Sequence, residues 1–153
     1  MTLDTKLKWK EHIKIKRAQL DIKLRDLQWL IGKNSPLSIH CKLLIFKQIL
    51  KPVWLYGAQL WGCAKKSSID IIQRFQNKAL RDIVNAPWYI RNSDLHRDLN
   101  VPTVTSDICK LAKSHQERLC LHPNEEANKL LDLSNLRRRL QRTKPFELVE
   151  LTQ

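Results

Sequence analysis

Residues 43–61 read LLIFKQILKPVWLYGAQLW, the densest apolar run of a 153-residue chain. Leu43, Leu44, Ile45 and Phe46 run together, then Ile49 and Leu50, then Val53 to Tyr56, then Leu60 and Trp61. A helix drawn through this run is apolar on nearly every side. Such a helix belongs in a protein core or in a membrane. Lys47 and Lys51 argue against the membrane, because each costs roughly 2.5–3.5 kcal/mol near a bilayer centre. Pro52 removes a backbone donor and is expected to kink the helix near Lys51. The stretch therefore reads as the centre of a soluble core wrapped by basic, amphipathic helices, with no membrane as partner.

Upstream, a helix is expected from about residue 5 to Ile31, capped by Asp4 or Thr5 and ended by Gly32 in the left-handed conformation. Trp9, Ile13, Leu20, Leu24, Leu27 and Ile31 share one face. Ile15, Ile22 and Trp29 form a second stripe on the opposite side, so this helix asks for partners on both sides. Its basic residues, Lys14 and Arg17 among them, read either as a solvated face or as phosphate contacts.

Ser38 is the expected N-cap of the central helix. Downstream, Ser67 or Ser68 is expected to cap a helix over about 69–84. Ile69, Ile72, Phe75, Ala79, Leu80 and Ile83 give it a broad apolar face. Arg74, Lys78 and Arg81 recur at i, i+4 and i+7 on the other side, as a solvated face or as a ridge that tracks phosphates. Pro87 breaks the helix. Trp88 and Tyr89 either stack on bases or plug the core beneath their loop. Shorter helices follow at Asp94–Leu99, about 106–120 and Glu125–Leu133. The end of the chain carries Arg137, Arg138, Arg139 and Arg142, its sharpest basic cluster, which reads as a nucleic-acid or nuclear-import patch or as a frayed charged terminus.

Composition fits this layout. Hydrophobic residues make up 42%, charged residues 28%, and only 3 glycines are present. That describes a foldable all-α chain, an irregular bundle of about five helices around a central Pro-kinked one. One domain is expected: a core over 1–104, helices packed on it over 105–135, and a basic, partly disordered tail over 136–153. The balance of 28 Lys+Arg against 15 Asp+Glu, a formal charge of +13, points to an anionic partner, nucleic acid first. Four cysteines without CxxC spacing, and a charged start without an apolar leader, read as free thiols in a reducing, intracellular setting.

No catalytic constellation is present: no Gly-rich phosphate loop, no GxSxG, no HExxH. Cys109, His115, Cys120 and His122 have atom types suited to zinc but poor spacing, and read as two buried thiols and two surface histidines.

Five blocks carry a family resemblance: LDTKLKWKEHI (3–13), LLIFKQILKPVWLYGAQLWG (43–62), QRFQNKALRDIVNAPWYIRNSDLHRDLNVPTV (73–104), HPNEEANKLLD (122–132) and RRLQRTKPFEL (138–148). Together they resemble the C-terminal part of jockey-like non-LTR retrotransposon reverse transcriptases. The resemblance implies a helical thumb and the connection beyond it, lying against the template–primer duplex. The YADD-type aspartates of the palm have no counterpart here, so no catalytic residue carries over. Magnesium would belong to that palm, and no cofactor to this chain. The expectation is a truncated, non-catalytic remnant that binds nucleic acid through phosphates, in the nucleus or the cytoplasm. A separate palm-containing reverse transcriptase chain is a further expected partner. The alternatives are a helical protein-interaction module and an inert relic.

Overall fold

The computed structural model describes residues 7–124, with Glu126 and Leu148. Its elements are α1 (Lys10–Asp26), α2 (Gln28–Ile31), α3 (Ile39–Ile45), a π-helical turn (Phe46–Leu50), α4 (Lys51–Leu55), α5 (Ala58–Trp61), α6 (Lys66–Val84), α7 (Asn92–Asp98) and α8 (Val104–Cys120). No strand occurs among the described residues, and the all-α bundle expected from the pattern is what forms. The expected domain limits at 135 and 136 lie outside the described residues, as does the expected helix Glu125–Leu133 apart from Glu126.

The first helix keeps its two stripes. Trp9, Ile13, Leu20, Leu24 and Ile31 are buried, while Ile15, Ile22 and Trp29 face solvent, the last 73% exposed. The helix starts later than expected, at Lys10, on a left-handed Trp9 with no side-chain cap. It breaks once at Leu27. Gly32 is a correction: its backbone is extended, not left-handed. A glycine is needed there for space, since a Cβ would lie 2.4 Å from the Gln28 carbonyl oxygen. Ser38 caps α3 as expected, its Oγ accepting from the Cys41 N–H at 3.3 Å.

The central stretch departs most from its reading. It is not buried all round. Phe46, Leu50, Trp54, Ala58 and Trp61 are buried, whereas Leu44, Ile49, Tyr56 and Leu60 lie in solvent. Lys42 is buried too, and its Nζ donates to the Gly32 carbonyl at 2.9 Å. The inward positions are thus 42, 46, 50, 54 and 58, a strict spacing of four. In an ideal α-helix that spacing drifts about 40° per step. The wider π-helical turn takes out part of the drift, with the Lys51 N–H reaching back five residues to the Phe46 carbonyl. Pro52 follows in the first turn of α4, where a missing N–H costs least. Gly57, at φ 70°, then resets the direction for α5.

The 19-residue α6 buries Ile72, Phe75, Ala79, Leu80 and Ile83, the expected face, together with Gln76. It begins at Lys66, ahead of both candidate caps, and ends on Asn85 in the left-handed conformation. α1 packs on α6 and α4, α5 packs on α8, and α6 on α8. Trp54, Trp61, Phe46 and Phe75 are the largest fully buried side chains. Truncating one such aromatic to alanine typically costs about 3–5 kcal/mol. Leu148, inside the stretch expected to be a tail, is buried as part of the same core.

Candidate nucleic-acid interface

The outward face of α6 follows from its period: with Ile72, Phe75 and Ala79 inward, positions 74, 78 and 81 must point away. Arg74 and Lys78 are exposed, and neither has a carboxylate partner within ion-pair distance among the described residues. Arg74 Nε donates to the Asp70 carbonyl one turn back, at 3.2 Å. One turn beyond Lys78, burial pushes the Asp82 carboxyl above the ordinary range, with the Lys78 charge opposing.

Arg81 sits differently. Its Nε and Nη2 donate to Asn92 Oδ1 at 3.2 and 2.9 Å, Nη1 to the Pro87 carbonyl at 2.9 Å, and Nη2 also to the Ile90 carbonyl. Four of its five N–H donors are therefore spent on the loop after α6 and on Asn92 at the start of α7. Arg17 is likewise engaged. It pairs with Asp21 and lies over the Phe75 ring, 4.8 Å from the centroid, which ties α1 to α6. Lys14 forms an exposed ion pair with Glu11 at 2.9 Å. Of the expected contacts, Arg74 and Lys78 present outward charge, Lys14 is partly screened, and Arg17 and Arg81 hold structure. Arg137, Arg138, Arg139 and Arg142 lie outside the described residues.

The fold also assembles a groove that the linear sequence does not announce. Lys47, Lys51, His96, Arg97, Asp107 and Lys110 help line an open cleft of about 820 Å³ at the start of α8. Asp107 is met by Lys51, whose Nζ donates to Oδ1 at 2.9 Å and lies 2.8 Å from Oδ2. Arg97 is bridged by Asp94 and Asp98 at 3.2 and 3.3 Å. Lys47 and Lys110 are exposed, and neither has a carboxylate partner among the described residues. The positive end of the α8 dipole adds to their field; Thr103 caps that end, its Oγ1 accepting from the Ser106 N–H at 3.3 Å. The nearest sequence signal is the acid-free pair Lys47 and Lys51, four residues apart; Lys110 gives none, because only folding brings it near.

Metal chemistry finds no donor set. Among the described residues no three of His, Cys, Asp and Glu approach closely enough to hold an ion. Of the four zinc-type residues, Cys109 is buried, while Cys120, His115 and His122 are exposed; Cys120 was expected to be buried. The exposure of Cys120 follows from its place in the last turn of α8, beyond the buried stretch that ends at Ala112. No helix of the described residues is long and apolar enough to cross a membrane.

In sequence this basic, all-α segment is similar to RNA-directed DNA polymerases of mobile elements. The chain is 42% identical over 147 residues to the probable RNA-directed DNA polymerase from transposon X-element of Drosophila melanogaster, covering 96% of this chain and 16% of that protein. It is 38% identical over 159 residues to the RNA-directed DNA polymerase from mobile element jockey of the same species, covering 99% and 17%. The probable polymerase from transposon BS is 36% identical over 138 residues, covering 90% and 15%. The resemblance to jockey-like retrotransposon polymerases therefore holds along most of this chain. The chain spans about a sixth of the length of these curated relatives. No family model matches it, and no solved structure does.

Proposed function

We propose that this segment is a non-catalytic part of a retrotransposon RNA-directed DNA polymerase that grips template–primer nucleic acid through its phosphates, without regard to sequence. The observation that carries the reading is the groove at the start of α8. Asp107, the one carboxylate lining it among the described residues, is already met by Lys51, which leaves the charges of Lys47 and Lys110 uncompensated among those residues. Arg74 and Lys78 extend the basic surface along α6, and Arg137, Arg138, Arg139 and Arg142 are proposed to add to it. Magnesium belongs to the palm of such a polymerase and not to this segment, and the site of action is the nucleus or the cytoplasm.

The test is binding of the purified chain to a duplex of arbitrary sequence at 50 and 200 mM salt. The log–log slope should be roughly −0.9 per phosphate neutralised. The Lys47→Glu, Lys110→Glu double variant should bind more weakly and with a shallower slope. Undetectable or salt-independent binding would count against the reading. Primer extension by the chain alone on an RNA template should be absent.

One observation favours a second reading. The outward stripe of Ile15, Ile22 and Trp29 has no cover among the described residues, which suits docking of α1 and α2 against a palm-containing polymerase chain. Loss of such an interaction in a Trp29→Ser variant, with duplex binding unchanged, would support it.

A further inference from the structure

We propose that Trp88 and Tyr89 form a stacking platform for unpaired bases of a single nucleic-acid strand, presented on a loop that Arg81 holds rigid. The inference rests on the nucleic-acid reading above and adds to it which strand form this end of α6 meets.

Three observations converge. First, the pair does not plug the core: Trp88 is 89% exposed and Tyr89 70%. Second, the backbone beneath them is fixed. Asn85 ends α6 in the left-handed conformation, with its own N–H and that of Ala86 both donating to the Arg81 carbonyl. The Ile90 N–H closes a turn onto the Pro87 carbonyl at 3.3 Å. The guanidinium of Arg81 then grips the Pro87 and Ile90 carbonyls and Asn92 Oδ1 from below. The two carbonyls bracket the aromatic pair in sequence, so the rings stand on a braced arch. Rings on a fixed backbone lose little freedom when they bind. Third, the approach is basic. Arg91, beside the arch, is exposed. Lys78 and Arg74 lie three and seven residues before Arg81, on the same face of α6. Aromatic rings next to cationic side chains are the composition that holds single strands, with bases on the rings and phosphates on the charges.

The ring geometry selects the strand form. The two centroids are 6.0 Å apart and the planes meet at 81°. A duplex keeps its bases parallel and offers at most a terminal pair to one ring. A flexible strand turns between successive bases and can meet both planes.

The experiment compares a short oligo-dT strand with a blunt duplex of the same length, at 50 mM salt, against the full chain. In the Trp88→Ala, Tyr89→Ala double variant the oligo-dT affinity should fall about tenfold or more, while the duplex affinity stays within about twofold. The Trp88→Phe, Tyr89→Phe variant should retain most of the oligo-dT affinity, and both aromatic variants should melt like the parent because the rings lie outside the core. Arg81→Gln, which frees the arch, should lose part of the oligo-dT affinity with both aromatics still in place. Unchanged oligo-dT binding in the alanine variant, alongside weakened binding in Lys47→Glu, Lys110→Glu, overturns the platform, leaves the phosphate reading standing and assigns the pair to a protein contact. Equal losses on strand and duplex also overturn it. Failure of the parent chain to bind either ligand overturns both readings.

Discussion

The Lys51 ammonium lies between the two carboxylate oxygens of Asp107, at 2.9 and 2.8 Å, and so joins α4 to α8 across 56 residues of sequence. Both side chains are largely withdrawn from water, 17% and 9% exposed. Removing one partner leaves the other charge poorly solvated. Asp107→Asn should therefore lower stability by about 2 kcal/mol in denaturant unfolding. The paired change Lys51→Met, Asp107→Leu should cost much less, because no half-buried charge remains. Equal losses in the two variants would mean that the pair acts through packing alone.

Gly62, at the end of α5, has no room for a side chain: a Cβ would lie 2.5 Å from the Ala58 carbonyl oxygen and would press on α8. It would lie 2.4 Å from Ile108 Cγ2 and 3.3 Å from Leu148 Cδ1. Gly62→Ala should destabilise by about 1–3 kcal/mol and lower the melting midpoint by several degrees. Gly62→Ala combined with Ile108→Ala, which removes Cγ2, should cost less than the sum of the two single losses. An unchanged melt for the single variant would refute the close packing.

The buried His12 carries an acid-sensitive contribution. Burial of the imidazole, with the Lys16 charge adding repulsion, holds its pKa below the usual 6.5. The unfolded chain then takes up the proton at higher pH than the folded chain does. Stability from this group is complete above about pH 6.5, declines as pH falls below it, and levels off beneath the folded-state pKa. Urea midpoints at pH 7.5 and 5.5 should differ for the parent chain, and the difference should shrink in His12→Gln. A variant with the parent's full pH dependence would assign the effect to other groups.

The cysteines should divide by exposure. Cys41 and Cys120 are exposed, Cys63 is half-buried, and Cys109 is buried with its thiol pKa pushed up by that burial. Thiolate is the reactive form, so a maleimide should label Cys41 and Cys120 quickly and Cys109 only on unfolding. Fast labelling of Cys109 in the folded chain would contradict its place on the buried face of α8.

What the sequence made legible was whatever repeats with the helical period. The inward face of α6, both stripes of α1 and the Ser38 cap are local patterns and could be read without the fold. In the middle stretch apolar density does not decide burial; spacing does. Its strict fours at 42, 46, 50, 54 and 58 were there to see, but they include a lysine and exceed what one α-helix can keep on one side. Lys42 is buried because its long apolar stem carries the ammonium to the Gly32 carbonyl, a partner that exists only once the chain turns back. Arg17 and Arg81 looked like free cations for the same reason. Their partners, the Phe75 ring and the loop carbonyls, are assembled by tertiary contact. The groove joins positions 47, 97 and 110, and no local pattern links them.

The wide turn at Phe46–Leu50 also governs how this region can change in length. Gain or loss of a single residue there would rotate all that follows by about 100° and swing Trp54 and Ala58 out of the interior. Substitution on the outer side, at Leu44, Ile49 or Leu60, disturbs no such phase. The segment is thus free in its outward lettering and fixed in its count.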